Sequence, residues 1–275
     1  MNSETNFLPI SELQKIALRL RRDIVQMIYT AGSGHPGGSL SSVEILTTLY
    51  FRILRHNPME PYWPDRDRFI LSKGHVAPVL YATLAESGYF PVQELQTLRK
   101  LGSRLQGHTE HSLAGVEMSA GSLGQGLSFG IGCALAARLN KKDYRTYVLM
   151  GDGECDEGQV WEASMAAPHF KLDNLVAIVD KNGLQIDGFT KDIMNSEPLN
   201  EKFRAFGWHV IDVDGHDFQQ LIEAFEHART VKRQPVAIIA KTIKGKGVSF
   251  MENNVDFHGK APNAAQFEMA MKELS

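Results

Sequence analysis

The sequence predicts an α/β fold, a parallel sheet covered by helices on both faces, formed by residues 1–275 as a single domain. Three observations predict it. Short, nearly unbroken apolar runs recur at 146–150, 175–179 and 236–240, as strands buried on both faces require. Stretches of helical periodicity alternate with them, which is the pattern of a parallel sheet. Polar, glycine-containing segments begin where several of these runs stop.

In chain order, Ser11-x-x-Gln14 reads as a capping box opening a helix. On it Leu13, Ile16, Ala17, Leu20, Ile24, Met27 and Ile28 recur at helical spacing, and Ala31-Gly32 ends it. After the loop Ser33-Gly34-His35-Pro36-Gly37-Gly38, a second helix is expected from near Ser39, with Ser41-x-x-Glu44 as its capping box. It stops before Asn57-Pro58, where prolines break the chain as far as Pro64. A short strand at 68–71 leads into Ser72-Lys73-Gly74-His75. The strand at 146–150 stops at Gly151-Asp152-Gly153, and a helix follows over about 157–169. The remaining order is strand 175–179, helix 199–206, strand 208–213, helix 217–230 and strand 236–240. Residues 260–275 read as one short helix capped by Asn263. The crossovers should be right-handed.

Composition narrows the function classes. With 43% hydrophobic and 22% charged residues, a normal core is expected. A net charge of −3 argues against a nucleic-acid surface. Cys133 and Cys155 form no zinc pattern, so free thiols in a reducing compartment are expected. The start, MNSETNFLPI, has neither the basic nor the apolar region of a signal peptide. The stretch from Leu123 to Leu139 is too short and too polar to span a bilayer. The expectation is a cytoplasmic protein with no membrane partner.

A sheet of this kind binds its ligand outside the carboxyl ends of its strands. Gly74-His75, Gly151-Asp152-Gly153 and Asp180-Lys181-Asn182 all stand at such ends, so they should converge on one edge. Asn182 follows Asp152 by thirty positions, after the next strand. A carboxylate, an amide oxygen and a backbone carbonyl are hard oxygen ligands suited to magnesium or calcium. Glycines let backbone N–H groups approach phosphates. Taken alone, GDG reads equally well as a turn between strand and helix; the spaced pair is more specific. Four histidines also lie in tight loops: His35, His75, His108 and His258. A lone histidine is more often a structural hydrogen-bonder, but four in one cleft could move protons among hydroxyl and carbonyl oxygens.

Gly151-Asp152-Gly153 with Asn182 resembles the signature of thiamine-diphosphate enzymes. That resemblance implies a thiamine-diphosphate-binding fold and a metal, Mg2+ or Ca2+, held by Asp152, Asn182 and the main-chain oxygen of Leu184, with Gly153 against the diphosphate. The four histidine loops, in order along nearly the whole chain, resemble transketolase more specifically. By that resemblance His35 and His258 handle proton transfers at substrate oxygens, while His75 and His108 hold hydroxyls of the donor and of the two-carbon intermediate. His75, Gly121, Leu123, Glu157 and His258 join Asp152, Gly153 and Asn182 as cofactor-binding residues. Glu157 and Glu162 match acidic residues that link paired active sites across a subunit interface.

The resemblance covers only the diphosphate-binding half of a transketolase. It implies a partner, a separately encoded C-terminal, pyrimidine-binding subunit in an α2β2 assembly, and sugar phosphates as substrates. The expected activity is transfer of a two-carbon ketol unit, and the chain alone should bind cofactor poorly and turn over nothing. The chain departs from the family pattern at Ser39 and Ser41, at Thr109, and at Lys73 and Lys181, which replace small or polar residues.

Several alternatives stand beside this reading. The α-type subunit of a 2-oxoacid dehydrogenase and a deoxyxylulose-phosphate-synthase-like enzyme share GDG and Asn. Gly124-x-Gly126-x-x-x-Gly130 could be a nicotinamide-binding loop if it followed directly on a strand. His108-x-x-His111 has zinc-like spacing. The set Gly124, Gly126, Gly130, Gly132 and Ala134 suits either another helix packing closely from outside or packing against the sheet within the chain.

Overall fold

The computed structural model describes residues 8–275. Residues 1–7, which carry most of the stretch read for a signal peptide, lie outside the described residues. The helices are α1 (Ile10–Ala31), α2 (Pro36–Ser41), α3 (Val43–Thr48), α4 (Ala77–Glu86), α5 (Gly126–Leu139), α6 (Gly158–His169), α7 (Thr190–Ile193), α8 (Leu199–Phe206), α9 (Phe218–Thr230) and α10 (Ala264–Glu273). The strands are β1 (Arg68–Leu71), β2 (Thr146–Gly151), β3 (Leu175–Lys181), β4 (Leu184–Gln185), β5 (Gly188–Phe189), β6 (His209–Asp214) and β7 (Val236–Lys241). Five of them form one parallel sheet in the order β1-β2-β3-β7-β6. β4 and β5 pair separately as a small antiparallel hairpin.

The two-residue period of a strand divides the central residues between the two faces. Phe69, Leu71, Tyr147, Leu149, Val176, Ile178 and Ile238 join one apolar cluster with α1, α3, α4 and α9. Ile70, Val148, Met150, Ala177, Val179 and Ile239 join a second with residues of α5, α6 and α8. A fully buried aliphatic side chain contributes about 1.5–3 kcal/mol, so the apolar runs in the sequence are the two cores. The expected sheet, covered on both faces, is what forms.

Three local expectations need correction. Helix α1 begins at Ile10 behind Pro9, with no side-chain cap, so Ser11 and Gln14 are not a capping box; its end at Gly32 is as expected, with φ 66. The second helical segment begins at Pro36 rather than Ser39. Ser41 caps nothing, because its hydroxyl donates to the Gly38 carbonyl and to the Asp180 carboxylate across the core. The glycines of α5 do not share one open face. A Cβ at Gly126 would lie 2.4 Å from Ser72, and one at Gly130 2.5 Å from Val148, so both are spent on close contact with the sheet. Only Gly132 points into open space, on the side where Phe129 is 40% exposed.

Candidate active site

The carboxyl ends of β1, β2 and β3 lie side by side, and a fourth end, that of β7, joins them. One cleft above this edge is lined by His35, His75, His108 and His258, by Gly121 and Leu123, and by Asp152, Gly153, Asn182 and Leu184. Sequence reasoning named all of these. Glu157, expected to bind cofactor, and Glu162, expected with it only at a subunit interface, are both exposed, Glu157 just ahead of α6 and Glu162 on it, and neither lines the cleft. Lys73, Glu154, Gln185, Ile186 and Lys244 line it as well and were not singled out as site residues.

At one corner the donors are all oxygen. The Asp152 carboxylate accepts from the backbone N–H groups of Gly153 at 3.0 Å and Gly183 at 2.6 Å. Burial, followed by the neighbouring Asp180 carboxylate, pushes the Asp152 carboxyl up to about 6. The Asn182 side-chain oxygen accepts from Leu184 N at 3.1 Å. The Leu184 carbonyl faces the Lys244 ammonium at 3.1 Å, so a cation already stands against this oxygen. A buried carboxylate with no basic side chain bonded to it, beside an amide oxygen and a carbonyl, fits a hard divalent ion. Zinc at His108 and His111 lacks support: among the described residues no three His, Cys, Asp or Glu side chains are placed to hold a metal.

Beneath the floor, Asp180 is fully buried and accepts from Lys73, Thr242, Ser41 and Ser42. Burial alone would raise its carboxyl, but the Lys73 ammonium and the hydroxyls hold it below the usual carboxylate range. Glu154 ties three segments together, accepting from Ser72 Oγ, from Gly124 N at 2.8 Å and from Gly151 N at 3.0 Å. Its carboxylate thereby fixes the 121–126 loop against the ends of β1 and β2.

The four imidazoles gather in the same cleft. The His35 ring centroid lies 5.3 Å from that of His75, 5.9 Å from His108 and 5.5 Å from His258. Burial, then the charges of Arg99 and Lys244 among others, lowers His35 to about 4. Burial and then Lys244 lower His258 to about 3. His75 is held well below its ordinary value by burial and then Lys73, and His108 is lowered by burial and then Arg99. All four are shifted toward the neutral form, in which each ring has one nitrogen that donates and one that accepts. His35 Nδ1 is buried with no hydrogen-bond partner. Lys244 Nζ lies 2.8 Å from His258 Nδ1. Because an ammonium only donates, Nδ1 accepts and the His258 ring proton sits on Nε2.

Lys244 is held from both sides. His216 Nε2 accepts from Ile243 N at 2.8 Å, so its proton is on Nδ1, which lies 2.9 Å from the buried Glu44 carboxylate. Arg21, paired with the same carboxylate, donates to the Lys246 carbonyl at 3.0 Å. Gly245 N donates to the carbonyl of Gly37, next to the His35 loop. The sequence signal for Lys244 was its place just past the last apolar run, a fourth strand end among three already counted.

Comparison with known proteins bears on the family and the fold. Residues 13–275 match the family model described as transketolase, thiamine diphosphate binding domain. A protein of Phocaeicola vulgatus, named as one subunit of an apulose-4-phosphate transketolase, is 45% identical over 93% of this chain and 91% of its own length. A Clostridium protein, named as one subunit of a 6-deoxy-6-sulfo-D-fructose transketolase, is 45% identical over 96% of each. Among solved structures, transketolase from Campylobacter jejuni superposes with a TM-score of 0.92 at 35% identity, covering 97% of this chain and 43% of that one. The chain thus spans about two-fifths of the length of that solved enzyme and nearly all of the two relatives named as subunits.

Proposed function

Because the chain belongs to the transketolase family, through its thiamine-diphosphate-binding domain, we propose that it is the cofactor-binding subunit of a two-chain transketolase. It transfers a two-carbon ketol unit from a ketose phosphate to an aldose or aldose phosphate. The observation that carries this reading is the union in one cleft of an oxygen-lined corner and four neutral imidazoles. A nicotinamide enzyme has no use for such a set, and no strand runs directly into Gly124 among the described residues.

In this reading Asp152, Asn182 and the Leu184 carbonyl hold Mg2+ or Ca2+, Gly153 lies against the diphosphate, and Gly121, Leu123 and His75 contact the rest of the cofactor. Thiamine diphosphate, when bound, supplies the carbanion and electron sink that break the bond between C2 and C3 of the ketose. Lys244, which lies between the oxygen corner and His258, adds positive charge on the diphosphate side. His258 presents its Nε2–H, while His35 has a free Nδ1. This pair is suited to donate and accept a proton at substrate oxygens. His75 and His108 hold the hydroxyls that fix the sugar's orientation.

The partner in this reading is a separately encoded pyrimidine-binding subunit in an α2β2 complex; the two relatives named as subunits support the existence of a partner chain. In this reading Glu157 and Glu162, exposed just ahead of and along α6, link paired active sites across a subunit interface. We place the whole chain in one domain and the complex in the cytoplasm; among the described residues no helix is long and apolar enough to cross a membrane. The test is co-expression with the product of the adjacent reading frame, followed by a ketol-transfer assay. Activity should need both chains. Normal turnover by the single chain, or action of the pair on pyruvate in place of a ketose, sinks the reading.

A further inference from the structure

Lys244 reaches the cleft from a segment that belongs to no helix or strand. Its ammonium is 2% exposed and has no carboxylate within ion-pair distance among the described residues. It stands instead between the Leu184 carbonyl at 3.1 Å and His258 Nδ1 at 2.8 Å. A buried ammonium that slips from its acceptors is left uncompensated. With no counter-ion to hold the side chain directly, its place depends on where the backbone of residues 243–247 is pinned.

Two side chains do that pinning, and one carboxylate governs both. Strand β7 ends at Lys241, so Ile243 N lies beyond the sheet ladder, and it donates to His216 Nε2 at 2.8 Å. The other nitrogen of that ring, Nδ1, lies 2.9 Å from the Glu44 carboxylate on α3. On the far side of Lys244, Arg21 donates to the Lys246 carbonyl at 3.0 Å. A Cβ at Gly247 would fall 2.9 Å from Arg21 Cδ and Nε, so that guanidinium also packs on the backbone. Arg21 is paired with Glu44 at 2.7 Å, and both side chains are 9% exposed. Glu44 thus grips the segment on either side of Lys244, while neither Glu44 nor His216 lines the cleft.

We propose that His216, oriented by Glu44, is a positioning residue for Lys244. It fixes the backbone at Ile243 so that the ammonium meets the Leu184 carbonyl and His258 together. The consequence for cofactor affinity rests on the ketol-transfer reading above; the placing of Lys244 against His258 does not.

The first test is a double-mutant cycle in the assembled complex, read by titration with thiamine diphosphate and Mg2+. His216→Leu should weaken binding about tenfold, the scale on which a group that orients a direct contact acts. His216→Gln, whose amide can accept from Ile243 N and donate to Glu44, should recover most of that loss. In a Lys244→Met background His216→Leu should cost nothing more, because two residues acting through one contact are not additive. His216→Asn, with the same groups on a shorter side chain, should show a smaller loss of the same kind and replaces His216→Leu if that variant does not fold. Unchanged affinity, or a loss of equal size with and without Lys244, overturns the proposal.

The second test needs neither cofactor nor turnover. The ring nitrogens of His258 are followed by 15N NMR in the full chain. In the parent, Nδ1 should be the unprotonated acceptor of Lys244. In His216→Leu, or in His216→Asn in its place, the ring should move toward exchange between its two tautomers, as it should in Lys244→Met. An unchanged His258 signal overturns the proposal. If the parent complex binds no thiamine diphosphate, this spectrum alone decides: a shift shared by the His216 variant and Lys244→Met upholds the positioning role while the ketol-transfer reading falls.

Discussion

The ammonium of Lys73 and the carboxylate of Asp180 meet beneath the cleft floor with almost no solvent contact, 2% and 0% of each side chain being exposed. Removing one member leaves the other charged and uncompensated in the core. Lys73→Met should therefore destabilise the chain by about 3–5 kcal/mol, whereas the paired change Lys73→Met with Asp180→Asn should recover much of that loss. Urea unfolding of the three proteins decides it. A single variant as stable as the parent would show that the pair is not buried as described.

Asp152 belongs to the oxygen-lined corner and His108 to the imidazole cluster, so their removal should separate binding from turnover. Asp152→Ala should abolish cofactor and metal binding in the assembled complex. His108→Ala should retain the cofactor and lose turnover. Equal loss of binding in a thiamine diphosphate titration of both variants would refute that division of labour.

Glu154 predicts a subtler effect. Its carboxylate accepts from Gly124 N, Gly151 N and Ser72 Oγ, all buried. Glu154→Ala strands these donors and should cost about 3 kcal/mol, with weaker cofactor binding because the 121–126 loop loses its tie. Glu154→Gln keeps one acceptor oxygen and should lie between. Thermal unfolding of all three, with and without cofactor, reads both consequences.

The histidines set an acid limit. His35 and His258 are lowered from 6.5 to about 4 and about 3. Between those values and 6.5 the unfolded chain binds more protons than the folded one, so stability falls as pH falls through that window. Above pH 6.5 the two residues contribute no pH dependence. His35→Asn with His258→Asn should flatten the stability profile between about pH 6.5 and 4 relative to the parent. A profile of unchanged slope, measured by denaturant titration across that range, would count against the buried neutral rings.

Two glycines of α5 should respond in opposite senses. Gly126→Ala drives a methyl into Ser72 and should destabilise by about 1–3 kcal/mol. Gly132→Ala meets no atom within 4 Å and should stabilise the isolated chain by about 1 kcal/mol through helix propensity. If the same substitution also weakens assembly with the partner, the open side of α5 is part of the contact.

The sheet was legible because a strand buried on both faces must be apolar along its length, and the runs at 146–150, 175–179 and 236–240 were. Helix α4 was not, because Ala77 through Ala85 are all buried and leave no polar stripe to show a helical period. The start of α2 at Pro36 was hidden for a similar reason, since every residue of that helix is buried. Ser41 looked like a cap because capping is a local pattern, whereas its partner Asp180 lies far along the chain. Histidines and the GDG–Asn pair could be found because loop chemistry marks them. Lys244 and Glu154 carried no local mark, and only the meeting of distant strand ends gives them their places.

The bond from Gly245 N to the Gly37 carbonyl has a consequence for how the protein is made. It fastens the loop behind His35, which leaves the ribosome early, to a segment translated after β7. Until that later segment emerges, the early loop has no mate and the cleft lacks Lys244 and His258. Cofactor capture by a growing polypeptide must therefore wait until translation has passed His258, and ribosome-bound chains stalled after β3 should hold none.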